Sequence, residues 1–303
     1  MNFSYQGSTL DYWGRHSTYD HGSVYHEEAP PTSQVESPST SPWWSLDEDD
    51  DLKGCVEKSG YISVRLRHGI HLSITSNQGV EVVNTKQNVS LALSSCGTQM
   101  AMVHPYGRIL QYNTRIEIET VNEVSVKNAK IWPRGVSFTA DNCSMIYLLD
   151  AAGARTTTDT FHDLHSTDIT NGVLTRSWYA SFQSKPDVVN DCLVALNKSR
   201  HWVDDEGNDF LKINGVLIKQ TRDGYVSVER KNGLEVFDLR TSPNNGTVRF
   251  QSSFLYVTGS MGKEAHVFVK SKERRIHYNG ASFVVRNGGH SAGFNEFGVL
   301  KIW

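Results

Sequence analysis

Three short runs in this chain hold residue types that could do chemistry. Gly289-His290-Ser291-Ala292-Gly293 fits G-x-S-x-G. In hydrolases that pattern puts a serine nucleophile on a strand-to-helix turn, with an acid and then a histidine later in the chain. Only twelve residues follow Ser291, with one Glu, no His and a strand-like pattern, so the match is read as a glycine-rich turn. His162-Asp163-Leu164-His165, near Asp159 and Asp168, would set two imidazoles on one face of a helical turn over Thr158–His165. Imidazoles with carboxylates can bind a metal, but in so polar a run they read as a solvated loop. Asp204-Asp205-Glu206-Gly207 resembles part of a calcium loop without its remaining ligands, and reads as an acidic turn. No phosphate-binding or dinucleotide fingerprint occurs. The expectation is a chain with no catalytic residues, no metal and no cofactor.

Other residue types suit binding. Lys270, Lys272, Arg274 and Arg275, with Lys263 nearby, are the densest basic cluster, and Arg65, Arg67 and His68 are a second. Basic strands with interleaved aromatics can follow a phosphate backbone, and they also keep sheet edges soluble. At the other end of the chain, Ser37-Pro38 and Ser41-Pro42 have the form of proline-directed phosphorylation sites. Trp43, Trp44 and Leu46 then lead into Asp47 and a run of acids. Tryptophan is costly to leave in water, so the pair beside an acidic run reads as an anchor for a protein partner.

The elements that must carry these residues are mostly strands. Residues 1–53 hold ten acids and two bases, are rich in Ser, Gly, His and Pro, and lack an apolar period. They are expected to form a disordered acidic tail. From residue 54 the period is two: YISVRLR, IHLSIT, VEVVN and VSLALS, then TQMAMVH, RILQYN and TRIEIET, separated by turn residues. A first β lobe is expected over 54–183. Val188, Val189, Cys192, Leu193 and Leu196 make a helical stripe, with Ser184 or Asp187 as cap, so a linking helix is expected over 184–202. Strands resume in a second lobe over 203–303. The fold class is therefore mainly β: two antiparallel lobes joined by one α-helix.

Two echoes suggest an internal duplication. GYISVRLRHGI at 60–70 returns as GYVSVERKNGL at 224–234, each read as a strand, a turn at Gly69 or Gly233 and a returning strand. Tyr and Val are expected on one face and Ser on the other. GVSFTADN at 135–142 returns as GASFVVRN at 280–287. The offsets are 164 and 145, so the second copy would need loops 19 residues shorter. No period near that of propeller blades occurs. The layout and the HPYGRILQY strand loosely resemble β-rich interaction modules such as polo-box domains and ciliary scaffold repeats, but no residue role follows from the likeness.

The chain has 303 residues and net charge −3, which divides into −8 for residues 1–53 and +5 for the rest. Its four cysteines are far apart and expected to be reduced and mostly buried. The first residues lack the basic start and apolar core of a signal peptide, and no run is long enough to span a membrane. A cytosolic or nuclear setting is expected, with the four Asn-x-Ser/Thr matches left unmodified. Together these features describe a non-enzymatic adaptor or scaffold for protein partners. The alternative is a β module that binds nucleic acid through Lys270, Lys272, Arg274 and Arg275.

Overall fold

The structure is a computed structural model and describes residues 52–121, 125–165 and 187–303. The first sheet contains β1 (Lys53–Glu57), β2 (Tyr61–Leu66), β3 (Ile70–Thr75), β4 (Val80–Asn84), β5 (Val89–Leu93), β6 (Gln99–His104), β7 (Gly107–Tyr112), β8 (Arg115–Val121), β9 (Val126–Trp132), β10 (Gly135–Ala140), β11 (Ile146–Asp150) and β12 (Gly153–Thr157). One helix follows, α1 (Val188–Asn197). The second sheet contains β13 (Arg200–Val203), β14 (Asp209–Ile213), β15 (Val216–Gln220), β16 (Val226–Asn232), β17 (Glu235–Thr241), β18 (Val248–Gln251), β19 (Tyr256–Ser260), β20 (His266–Ser271), β21 (Arg274–Tyr278), β22 (Phe283–Asn287), β23 (His290–Phe294) and β24 (Leu300–Ile302). In both sheets every strand pairs antiparallel with its neighbours in sequence.

Side-chain alternation explains the layering. Ile62 and Val64 of β2, Val226 and Val228 of β16, and Ile276 and Tyr278 of β21 are fully buried, while the residues between them are not. Inward residues of both sheets belong to one continuous core, so their packed side chains fill the space between the sheets. Burying each Val, Leu, Ile or Phe is worth roughly 1.5–3 kcal/mol. Turns follow local chemistry: Asn214-Gly215, both at positive φ, join Ile213 to Val216 in the tightest kind of hairpin.

Polar side chains tie the sheets together at intervals along their length. Asn214 Nδ2 donates to the carbonyls of Thr75 (3.0 Å) and Ser76 (2.8 Å). Asn84 Nδ2 donates to Ser242 O at 2.9 Å, and Asn287 Nδ2 to Leu149 O at 3.0 Å. The partners are 138 to 158 residues apart, so the two sheets run past each other in the same strand order.

Several boundaries differ from the sequence reading. The first sheet starts at Lys53, and Leu52 is already in the core. The helix is shorter than 184–202, and Arg200–Val203 is the first strand of the second sheet. In α1 only Cys192 and Leu196 are buried, where they pack the helix on β1 and β2; Val189 and Leu193 are exposed. Asp187 is the N-cap without a side-chain cap bond, and Ser184 lies outside the described residues. Of the four unpaired thiols, Cys55 and Cys96 are exposed rather than buried.

The echoes also look different in three dimensions. Gly60 and Gly224 have φ of 82° and 87°, and Gly69 and Gly233 have 75° and 60°, so both copies contain the same turn-strand-turn unit. Tyr61 shares its face with Ser63 rather than with Val64, because alternate residues share a face of a strand. GVSFTADN forms β10 and GASFVVRN forms β22, each the tenth strand of its sheet. The GY copies lie on β2 and β16, the second and fourth strands of their sheets. The 19-residue difference thus corresponds to two strands, one hairpin, and not to shorter loops.

Candidate interaction faces

The outward side of the second sheet carries a band of cations beside a band of aromatics. Cross-strand pairing sets Tyr256 opposite Lys270, Lys270 opposite Arg275, and Arg275 opposite Arg286. Lys270, Arg275 and Arg286 are all exposed. The neighbouring row holds Arg249, Thr258, Phe268, His277 and Val284. Phe268 meets Tyr256 and His277 edge-on, with ring centroids 6.2 Å apart in both contacts. The Arg249 guanidinium lies 5.3 Å from the centre of the Tyr256 ring, a cation–π distance. No outward position of β18–β22 is a carboxylate; Asp238 of β17 is taken up by Arg240, whose Nε donates to it at 2.7 Å. Partial desolvation, followed by the charges of His266 and Arg286, holds the His277 imidazole below its ordinary pKa.

This surface differs from the cluster read in sequence. Lys270 and Arg275 belong to it. Arg274 faces inward with Ile276 and Tyr278 and donates to Trp132 O (2.5 Å) and Pro133 O (2.9 Å) on the other sheet. Lys272 occupies the β20–β21 turn at positive φ. Arg286 was missed because it is eleven residues from Arg275 in sequence and becomes its neighbour only by hairpin pairing. In the second basic run, Arg67 forms an ion pair with Asp209 at 2.5 Å, which also bonds His201 at 3.0 Å.

The outward side of the first sheet is partly covered by the chain itself. Residues 158–163 have no regular secondary structure and 164–165 form a turn; they make a strap rather than the expected helical turn, because their polar groups bond across the sheet. Lys130 of β9 bonds the Asp159 carboxylate and Thr160 O. Glu117 of β8 accepts from His162 N at 2.9 Å and contacts its Nδ1 at 3.0 Å. Glu119 accepts from Leu164 N at 3.2 Å, and Arg108 Nη1 donates to Leu164 O (2.7 Å) and His165 O (2.6 Å). Leu164 is buried with Ala92, Ala101 and Val103, against Leu110. Burial is the largest single influence on the Asp159 carboxyl and would lift it, but hydrogen bonds from Lys130, Ser137 and the Thr160 backbone, with the Lys130 charge, together hold the group below the usual range. Burial pushes Glu119 up. A cleft of ≈ 380 Å³ continues past the strap, lined by residues including Ser90, Val103, Arg108 and His165.

The remaining motifs do not form reaction sites. Ser291 sits within β23 opposite Arg286, with no helix after it, and His290 bonds Ala151 O of the other sheet. His162 and His165 are held by different partners, and no group of His, Cys, Asp and Glu fit to hold a metal occurs among the described residues. Asp204 closes its turn by accepting from Glu206 N and Asn208 N. Ser37, Ser41, Trp43, Trp44, Leu46 and Asp47 lie outside the described residues.

A family model described as a domain of unknown function (DUF8796) matches residues 54–301. No curated protein matches the chain. Among solved structures, the TCP10 domain of Danio rerio CPAP in complex with a peptide of Danio rerio STIL aligns over 80% of this chain and 93% of that one, at 10% identity and a TM-score of 0.19. The same wild-type domain in a second structure aligns over 82% and 97%, at 9% identity and again 0.19. Superpositions this poor carry no structural or functional weight.

Proposed function

We propose that this chain, which belongs to the DUF8796 family, is a non-enzymatic protein-interaction module whose second sheet binds a short acidic segment of a partner. The observation that carries the proposal is the outward row Lys270–Arg275–Arg286 beside the Arg249–Tyr256–Phe268–His277 band, with no carboxylate on β18–β22.

Dimensions favour a peptide over a nucleic acid. Five strands at about 4.8 Å spacing make a patch roughly 19 Å long. That is the reach of about six extended residues. Beyond it, Asp238 and Glu229 sit opposite each other on β17 and β16 and are paired with Arg240 and Lys231, so the row of free cations ends there.

The tail is a second binding element, in which Trp43, Trp44, Leu46 and Asp47 meet a protein partner. Phosphate on Ser37 or Ser41 would add about −1.5 to −2 charge each. Two exposed free thiols support an intracellular setting.

The test is a titration of the full chain with a labelled peptide of residues 41–51 and, separately, with single-stranded RNA and DNA at low salt. The peptide is expected to bind, and the nucleic acids to stay above the roughly 10⁻⁴ M weak end of non-specific affinity. Binding of nucleic acid alone would move the reading to a phosphate-backbone module. Binding of neither would end it.

A further inference from the structure

The contacts of the strap follow a pattern. Residues 158–165 make no ladder pairing with the sheet beneath; side chains of the sheet grip the strap's backbone instead. Glu117 and Glu119 accept backbone N–H groups from alternate residues, His162 and Leu164. Arg108 donates to two successive carbonyls, those of Leu164 and His165. The alternate N–H contacts suit an extended run at His162–Leu164, the successive carbonyls converge on Arg108 from the turn at Leu164–His165, and none of these backbone contacts depends on sequence. Selectivity resides in three side-chain positions: Asp159 on the buried Lys130, Phe161 with its ring 5.4 Å from Lys130 Nζ, and Leu164 in its alanine- and valine-lined cup.

Further features mark the surface as more than a support for this loop. Glu119 is 4% exposed, yet its Oε1 has no hydrogen-bond partner among the described residues. A buried acceptor is costly to leave unmet. The cleft beside Arg108 and His165 also lengthens the same track beyond the strap.

We infer that the outer face of the first sheet is a recognition groove for an extended partner segment of the form acid-x-aromatic-x-x-aliphatic, and that Asp159–Leu164 fills it in cis as a displaceable stand-in. The partner backbone takes the places of the strap's N–H and C=O groups, its acid meets Lys130, and its aliphatic residue enters the cup. Release of the strap is the condition for binding, so the free chain is self-masked. This inference concerns the opposite sheet from the acidic-segment site and stands or falls independently of it.

The experiment uses the full chain and a labelled peptide, TDTFHDLH, copied from Thr158–His165. The variant Leu164→Asp places a charge in the apolar cup and expels the strap without touching the sheet. A groove vacated in this way should bind the peptide at least about tenfold tighter than the wild-type chain, because the cis competitor is gone. A control peptide with Phe and Leu changed to Ala keeps the charges and should not bind; equal binding of both peptides would overturn the inference in favour of charge alone. A folded Leu164→Asp chain with no gain in affinity would also overturn it. If that variant does not fold, hydrogen exchange on the wild-type chain decides. Excess peptide should strip protection from the Leu164 amide, now donated to Glu119, and unchanged protection would show that the strap is only a fixed part of the fold.

Discussion

Arg230 is fully buried in the core between the sheets, and replacing it with methionine tests how the sandwich is held. Its Nη1 donates to Gln78 O and Ser94 O of the first sheet, both at 2.7 Å, and its guanidinium lies 4.6 Å from the centre of the Phe237 ring. Methionine fills similar volume without a donor. Ser94 O is buried, and an unmet buried carbonyl costs about 1–3 kcal/mol. Gln78 sits in a turn where water reaches it, so its loss costs less. Loss of the ring contact adds about 0.5–2 kcal/mol. Against these, the guanidinium no longer has to be desolvated. The balance is a destabilisation of about 2–4 kcal/mol, which at roughly 2–4 °C per kcal/mol for a domain of this size lowers Tm by about 5–15 °C. Urea unfolding followed by tryptophan fluorescence, with calorimetry for Tm, measures it. A variant within about 0.5 kcal/mol of wild type would refute the idea that this arginine joins the sheets, since surface-like positions behave that way.

Two further perturbations follow from the same interior. Burial holds His104 down to about 4, with Nδ1 accepting from Tyr106 N and Nε2 donating to Gly246 O across the sheets. The folded pKa is below the unfolded 6.5, so the unfolded chain takes up the proton first and stability is lost as pH falls from 6.5 towards 4. Between pH 8 and pH 5 this one group should remove about 2 kcal/mol, and His104→Gln should flatten that part of the stability–pH curve. Gly224→Ala should destabilise more than Gly233→Ala. Both have positive φ, worth about 1–2 kcal/mol with a side chain, but only at Gly224 would the new Cβ strike the His68 ring. Equal Tm losses for the two variants would show that the turn conformation alone matters.

The strand series and its separation by one helix were legible because period-two patterns and turn residues act locally. Inward-facing cations were legible in principle too. Arg230 shares parity with Val226 and Val228, and Arg274 with Ile276 and Tyr278, so each belongs to an apolar row. Reading basic residues as a linear cluster hid that. The strap was not legible as a strap, since Glu117, Glu119 and Lys130 meet it 29 or more residues away in sequence. A faint signal did exist. VSLAL and AMV are apolar on both faces, which implies a cover on the outside, and Leu164 supplies part of it. The outward row Lys270–Arg275–Arg286 needed hairpin register, which the turn lengths fix and composition does not.

The most direct measurement is the affinity of the acidic 41–51 peptide for the wild-type chain and for Lys270→Ala/Arg275→Ala/Arg286→Ala. Each exposed charge contact is worth about 0.2–1 kcal/mol. Removing all three should therefore weaken binding between about three- and 150-fold and flatten its salt dependence, while Tm stays within the small range of surface changes. Unchanged affinity in a triple variant that melts like wild type would contradict the account.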